Sequence, residues 1–308
     1  MVISSLTLLL ALVCRVAPDA PAETAPYLVV LGVAQDGGLP HAGCRKNCCG
    51  EAWNNPKLHH RVSCLALVDP VSSEHWLFDA TPDFKFQLHA LEKITGPASL
   101  SGIFLTHGHI GHYTGLMQLG REVISAGDVV VYAMPRMMDF LSRNGPWDQL
   151  VRLKNIALRP LQNDVPIILN SRLQIAPFLV PHRDEYTETV GFRITGPRKS
   201  IVFIPDIDKW EKWDRRIEEV IAGVEVAYLD GTFYADGEIP GRNMAEIPHP
   251  FIVETMARLA SLPAAEKGKV RFIHLNHTNP ALQKQSAAAQ AIEKAGFRVA
   301  KEGEQVKL

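Results

Sequence analysis

Ile103-Phe104-Leu105-Thr106-His107-Gly108-His109-Ile110-Gly111-His112-Tyr113-Thr114-Gly115-Leu116 decides how this chain reads. An apolar run rich in β-formers ends at Thr106 and an amphipathic segment begins near His112, so three histidines stand where a strand turns into a helix. His107 and His109 are two apart and project to the same side of an extended backbone, while His112 arrives from the first helical turn; the three imidazoles can converge on one small volume. Neutral imidazole is a ligand for zinc, iron and manganese, and a site left open by the protein binds and activates a water. A mere run of surface histidines would need neither the buried-looking strand before it nor Gly108, Gly111 and Gly115 around it.

With 308 residues, 46% of them apolar, the chain can bury a large core, as one large α/β domain or two smaller ones. Lys plus Arg number 32 against 33 Asp plus Glu, and there is no basic block and no alternating basic and aromatic face. A nucleic acid is therefore not an expected partner, and a small-molecule substrate is. Oligomeric state is not written in these residues.

The first 22 residues differ from the rest. Val2 to Val13 is a short, nearly uncharged apolar run, and Ala20-Pro21-Ala22 resembles a small-residue cleavage site, so residues 1–22 read as a signal peptide that lacks the usual basic flank. Cys14 follows the bulky Val13 and only weakly resembles a lipoprotein acceptor. The run is too short for a spanning helix, so no integral membrane segment is expected in the mature chain. Export places the protein in the periplasm or outside the cell; a misassigned start would leave it cytoplasmic.

Tyr27 to Val33 reads as a strand that runs into Gln35-Asp36-Gly37-Gly38, a turn. Cys44, Cys48 and Cys49 follow: a structural metal site with a fourth ligand from elsewhere in the fold, or, in an exported protein, a disulfide involving Cys64. Further strands are expected at Val62–Val68, His75–Phe78 and Ser101–Thr106, and helices at Asp83–Ile94 and Thr114–Ala126. Val129–Ala133 is a strand and Pro135–Arg143 a helix. Short strands fill Leu153–Val180 and end at His182, before the strand Thr189–Ile194. Ile201–Pro205 ends in Asp206 and Val224–Leu229 in Asp230, with a helix Trp210–Ala222 between them; strand ends are where an α/β sheet collects functional groups. A glycine-rich loop, Tyr234–Asn243, leads to a helix near Pro250. Val270–Ile273 ends in His274-Leu275-Asn276-His277, followed by a helix Ala281–Ala295 and a strand Arg298–Ala300. No repeat or linker interrupts this order after residue 25, so residues 26–308 read as one α/β (α+β) domain of two sheets with helices outside.

With His107, His109 and His112 at one strand end, His182 at another, Asp206 at a third and His274 at a fourth, the chain resembles the metallo-β-lactamase superfamily from about Tyr27 onward. That resemblance implies an αββα sandwich with a one- or two-metal site, His107, His109 and His182 holding the first ion, His112 and His274 the second, and Asp206 bridging. The superfamily usually has an aspartate directly before the third histidine; this chain has Gly111, which removes a carboxylate and implies a mononuclear site or a weak second one. Leu31–Pro40, Leu77–Asp83, Leu229–Phe233 and His274–Pro280 resemble the coenzyme PQQ synthesis protein B group, although that group typically lacks the full histidine set. The phosphodiesterases of phosphonate metabolism are similar in having a cysteine cluster whose structural zinc is completed by a histidine three residues after the last active-site histidine. By that likeness His277 joins Cys44, Cys48 and Cys49, and His274 serves the active site.

The resemblance thus implies a metallo-hydrolase of an ester, lactone or phosphodiester, with zinc as the metal, iron or manganese also suited, and Asp206 and His112 in catalytic roles. Asp79 or Asp230 can hold a ligating histidine by its second nitrogen. His41, His59 and His60 are candidates to protonate the leaving group, and Gln35 and Asp36 line the pocket. The likeness to the PQQ group implies the alternatives: a metal-dependent oxygenase or other oxidoreductase, or a carrier without turnover.

Overall fold

A computed structural model describes residues 24–97 and 99–308; the expected export signal lies outside the described residues. The strands are β1 (Tyr27–Gly32), β2 (Cys64–Asp69), β3 (Glu74–Phe78), β4 (Gly102–Phe104), β5 (Val129–Ala133), β6 (Ile156–Pro160) and β7 (Ile167–Ile168). They continue as β8 (Gln174–Leu179), β9 (Val190–Thr195), β10 (Ser200–Ile204), β11 (Val226–Asp230), β12 (Val270–Ile273), β13 (Arg298–Val299) and β14 (Gln305–Lys307). One sheet runs β14-β1-β2-β3-β4-β5-β6 and the other β13-β12-β11-β10-β9-β8-β7. In the first, β3 to β6 are parallel; in the second, β10 to β13 are.

The apolar runs are continuous because each sheet is covered on both faces. On β1 and β2, Leu28, Val30, Leu65 and Leu67 face the opposing sheet, where they meet Phe192, Ile194, Ile201 and Phe203. Their neighbours Val29, Leu31, Ala66 and Val68 point the other way, onto helices that contribute Phe84, Leu91, Met137 and Leu141. The second sheet repeats the arrangement: Val202, Ile204, Ala227 and Leu229 pack outward on Ile217, Ile221, Ile252 and Ile292. The result is the expected αββα sandwich.

Three expected helices are shorter than their patterns. Thr114–Ala126 forms only a 3-10 turn, Thr114–Leu119, after one helical turn Ile110–Tyr113. Gly115 N–H donates to Ala80 O at 2.9 Å across to the end of β3, and Ser125 takes a φ of 52°, so the ladder cannot continue. Trp210–Ala222 splits because Trp213 is extended and its indole N–H donates to Leu179 O at 3.0 Å; the helix restarts at Ile217. In the last, Gln283 is extended and the Ser286 side chain caps Ala287–Lys294. Strand β14 was not expected; it pairs with β1 at the sheet edge. Among the described residues no helix is long and apolar enough to cross a membrane.

Candidate metal centre

The parallel strands of both sheets end at the same edge, where the chain turns sharply and leaves its polar side chains facing one another. After β4 come His107, His109 and His112; after β8, His182; after β10, Asp206; after β12, His274; and after β1, Asp36. All but Asp36 and His109 are buried.

The distances between their donor atoms are short and regular. Asp206 Oδ2 lies 3.2 Å from His107 Nε2, 3.8 Å from His112 Nε2 and 3.9 Å from His274 Nε2, while Oδ1 lies 3.3 Å from His182 Nε2. His107 Nε2 and His109 Nδ1 are 2.9 Å apart. Asp36 Oδ1 is 3.3 Å from His112 Nε2 and 3.8 Å from His274 Nε2. Ligands about 2.0–2.2 Å from a tetrahedral ion stand roughly 3.3–3.6 Å from one another, which these separations bracket. The Nε2 atoms of His112, His182 and His274, with Asp206 Oδ1 and Asp36 Oδ1, are buried with no hydrogen-bond partner. Atoms so placed are costly unless something else satisfies them. One carboxylate among neutral imidazoles is a donor set that fits a divalent transition metal.

The far side of each imidazole is held. His112 Nδ1 meets Asp79 Oδ2 at 2.7 Å, and His182 Nδ1 meets Asp208 Oδ1 at 3.3 Å. Thr106 Oγ1 lies 3.0 Å from Asp79 Oδ1 and 3.0 Å from His107 Nδ1. Thr232 does the same for His274: its hydroxyl donates to Asp230 Oδ1 at 2.7 Å and meets His274 Nδ1 at 2.9 Å. His109 reaches Glu185 Oε2 through Nε2 at 3.1 Å, leaving Nδ1 inward. A ring whose Nδ1–H is engaged in this way presents a bare Nε2 to the centre. Asp79 and His274 adopt φ of 70° and 65°, left-handed values that non-glycine residues take at a cost and that cluster at functional sites.

Burial pushes His107 well below the ordinary histidine range, with the nearby His112 adding to it. Burial works against charge on His112 too, but the Asp79 and Asp36 carboxylates outweigh it and raise that ring well above its usual value. Burial likewise opposes ionisation of Asp206, yet His182, His249 and His274 around it hold its carboxyl well below the usual range.

His249 was not legible in the sequence. It stands in the loop before the helix Ile252–Arg258, buried, with Nδ1 2.8 Å from Asp230 Oδ2 and 3.1 Å from Asp206 Oδ1. Burial disfavours its charged form, but the two carboxylates raise it to about 9. The expected proton donors lie elsewhere. His41 stacks on His277 at 4.1 Å, His59 meets Ala52 O at 2.9 Å, and His60 sits 3.6 Å from Glu302. Each is engaged with its own neighbours.

Cys44, Cys48, Cys49 and His277 form a second cluster with donor atoms all within 4.8 Å of one another. The Cys44 and Cys48 sulfurs are 3.7 Å apart, the spacing of two thiolates on one zinc and far beyond a disulfide bond of about 2.05 Å. Cys64, the first residue of β2, is buried with its thiol on Asp79 O at 3.6 Å, and it forms no disulfide among the described residues. His277 Nδ1 meets Asn276 Oδ1 at 3.0 Å, and burial, with the charges of His41 and Lys46, pushes its pKa to about 4.

Two covered sheets with imidazoles and carboxylates gathered at one shared edge define a metal-binding αββα protein. The chain belongs to the β-lactamase superfamily, whose family model, described as Beta-lactamase superfamily domain, matches residues 75–275. It is 28% identical over 302 residues to the coenzyme PQQ synthesis protein B of Methylobacterium sp. (strain 4-46), covering 89% of this chain and 97% of that protein. To the protein of that name from Xanthomonas oryzae pv. oryzae (strain MAFF 311018) it is 27% identical over 309 residues, 91% and 99% of the two chains. Among solved structures, Zn(2+)-bound PqqB from Methylobacterium extorquens is similar with a TM-score of 0.76 at 24% identity, over 92% of this chain and all 100% of that one. A diphosphatase from the PhnP family follows with a TM-score of 0.63 at 20% identity, over 92% and 97%.

Proposed function

We propose that this chain is a metal-dependent hydrolase of an ester, lactone or phosphodiester, built as one domain over residues 26–308. The observation that carries this reading is the convergence of unpartnered, buried donor atoms from His112, His182, His274 and Asp206 on one pocket. His107, His109, His182 and Asp206 would hold one ion, and His112, His274 and Asp206 a second. Zinc fits the donor set, and a relative solved with Zn(2+) supports it. Bound there, such an ion lowers the pKa of a coordinated water to about 7 and polarises a carbonyl or phosphoryl oxygen.

The chain's own residues supply the rest. Asp206 is held anionic and can orient the attacking water. His249, whose Nδ1 lies 2.8 Å from Asp230 and 3.1 Å from Asp206, is the group that would give its proton to the leaving oxygen. The cavity beside the centre, about 540 Å³, is lined by Asp36, His109 and Arg183 and by the rings of Tyr113, Phe140 and Trp147. Tyr113 and Trp147 lie 5.0 Å apart, and Phe140 and Tyr186 5.6 Å. That wall suits a planar leaving group, and Arg183 suits an anionic one.

Assaying the zinc-loaded protein against aryl esters, lactones and bis-aryl phosphodiesters, beside a His107→Ala/His109→Ala double variant, tests the reading. Turnover by the wild type alone supports it; equal, background rates from both sink it. The near full-length similarity to proteins named for coenzyme PQQ synthesis favours a second reading, a metal-dependent oxidoreductase or a carrier of a quinone precursor. Oxygen consumption by the iron-loaded protein with a quinone precursor, absent from the double variant, would favour the oxidoreductase; binding without turnover would favour the carrier. The apolar run and Ala20-Pro21-Ala22 support a periplasmic or secreted location, which mass measurement of the mature N-terminus tests.

A further inference from the structure

The strongest unexplained contact at this edge is between two residues 75 positions apart in the chain, Asp36 and Gly111. A Cβ placed on Gly111 would come within 2.1 Å of Asp36 Oδ1, 2.6 Å of its Cα and 2.9 Å of its Cγ. Atoms do not approach so closely, and the nearest obstacle includes backbone, so no side chain fits at 111 while Asp36 is where it is. Asp36 fills the space that a side chain at 111 would need.

Its orientation is fixed from two sides. Oδ2 accepts a hydrogen bond from Gln35 Nε2 at 2.8 Å, which turns Oδ1 inward. Oδ1 is left buried, unpartnered and 3.3 Å from His112 Nε2. The backbone delivers the residue with the same accuracy. Gln35 N–H donates to Leu275 O at 2.8 Å and Leu275 N–H to Val33 O at 2.8 Å, so the loop after β1 is stitched to the residue that follows His274. The loop that carries Asp36 is therefore hydrogen-bonded directly to the segment that carries His274.

From this geometry we infer that Asp36 is a protein ligand of the ion held by His112 and His274, supplied from the β1 loop in place of a carboxylate at position 111. The inference rests on the metallo-hydrolase reading and departs from one expectation drawn from Gly111, that the second ion is absent or weak. Without Asp36 the second ion would have two imidazoles of its own and a carboxylate shared with the first; Asp36 adds a third ligand that is the ion's own and a second negative charge. Gly111 is then the condition for that ligand rather than the loss of one.

The test is zinc titration of chelator-treated protein, followed by elemental analysis after desalting and by the visible absorption of the cobalt-substituted form. Asp36→Asn, which keeps shape and removes charge, is expected to hold one ion fewer per chain and to weaken the affinity of that equivalent at least tenfold. Asp36→Gly is expected to do the same. Circular dichroism of each variant establishes that it is folded. An Asp36→Asn protein that retains the wild-type stoichiometry and affinity overturns the inference, as does an Asp36→Gly protein that does so. If the wild type itself takes up zinc only at the cysteine cluster, the hydrolase reading falls along with it; if it holds an ion at His107, His109 and His182 and Asp36→Asn changes nothing, only the Asp36 assignment falls.

Discussion

Asp79 and His112 meet at 2.7 Å, Oδ2 to Nδ1, with both side chains fully buried. The same carboxylate accepts from Thr106 N–H at 2.8 Å, so one aspartate at the end of β3 fixes both the strand that bears the histidines and the ring of the third. Carboxylates in this position hold the tautomer of a ligating imidazole and raise its basicity.

Replacing Asp79 by Ala is therefore expected to weaken metal binding at His112 by about 10–100-fold, with a smaller effect for Asp79→Asn. Competition against a chromophoric chelator measures it. Unchanged affinity in a folded Asp79→Ala protein would show that His112 does not depend on this contact.

His249 gives a prediction of a different kind, because its Nδ1 meets the carboxylates of Asp230 and Asp206. A residue that protonates the leaving oxygen matters in proportion to how poor the leaving group is. His249→Gln is expected to lower kcat about 10²–10⁴-fold for alkyl esters or phosphodiesters and to leave p-nitrophenyl substrates nearly unaffected, at unchanged metal content. A uniform loss across leaving groups would reassign His249 to holding Asp206 and Asp230 in place.

How far the sequence led can be argued from these residues. The acids and histidines at the ends of β3, β4, β10 and β12 were legible because each closes a largely buried apolar run, while His182, after the partly exposed β8, was legible only in the company of the others. Asp36 and His249 sit in turns. Asp36 follows a strand as Asp79 and Asp206 do, but Gly37 and Gly38 beside it read as turn chemistry and hid its role. His249 lies between Pro248 and Pro250, where no periodicity relates it to anything, and only the fold sets it against Asp230. The shortened helices failed for a third reason: Gly115 and Trp213 satisfy their polar hydrogens on other elements, and tertiary bonding overrode a helical pattern.

The cysteine cluster should bind zinc with a strong pH dependence. Burial, with the neighbouring cysteines, pushes the Cys49 thiol up to about 12 and raises Cys48 as well. His277, at about 4, is already neutral at pH 7 and releases nothing. Zinc must therefore displace thiol protons, and its affinity should fall roughly tenfold per displaced proton for each unit of acidification. Calorimetry of Cys44→Ser and wild-type protein in buffers of different ionisation enthalpy counts those protons. Zinc uptake at the cluster without proton release would contradict thiolate ligation.

At the sheet edge remote from the metal residues, the end of β2 is tied to the turn before β8. Asp69 accepts from Arg172 Nε at 3.2 Å and from Asn170 Nδ2 at 3.1 Å, which joins the two sheets. Burial would raise the Asp69 pKa, but Arg172, the Val71 N–H and Asn170 together lower it below the ordinary value. A carboxyl whose folded pKa lies below its unfolded value of about 3.9 contributes stability that is fully present above that pH and is lost as pH falls through the folded pKa. Asp69→Asn is therefore expected to destabilise by about 1–3 kcal/mol at pH 7, by leaving Arg172 without its partner. The gap between variant and wild type should begin to narrow as pH drops below about 4, where the unfolded carboxyl takes up its proton, and close as pH falls through the lower folded value. Urea unfolding of both proteins from pH 7 down to pH 3 tests the sign: a gap that stays constant or widens on acidification would mean that the charge of Asp69 does not clamp the sheets.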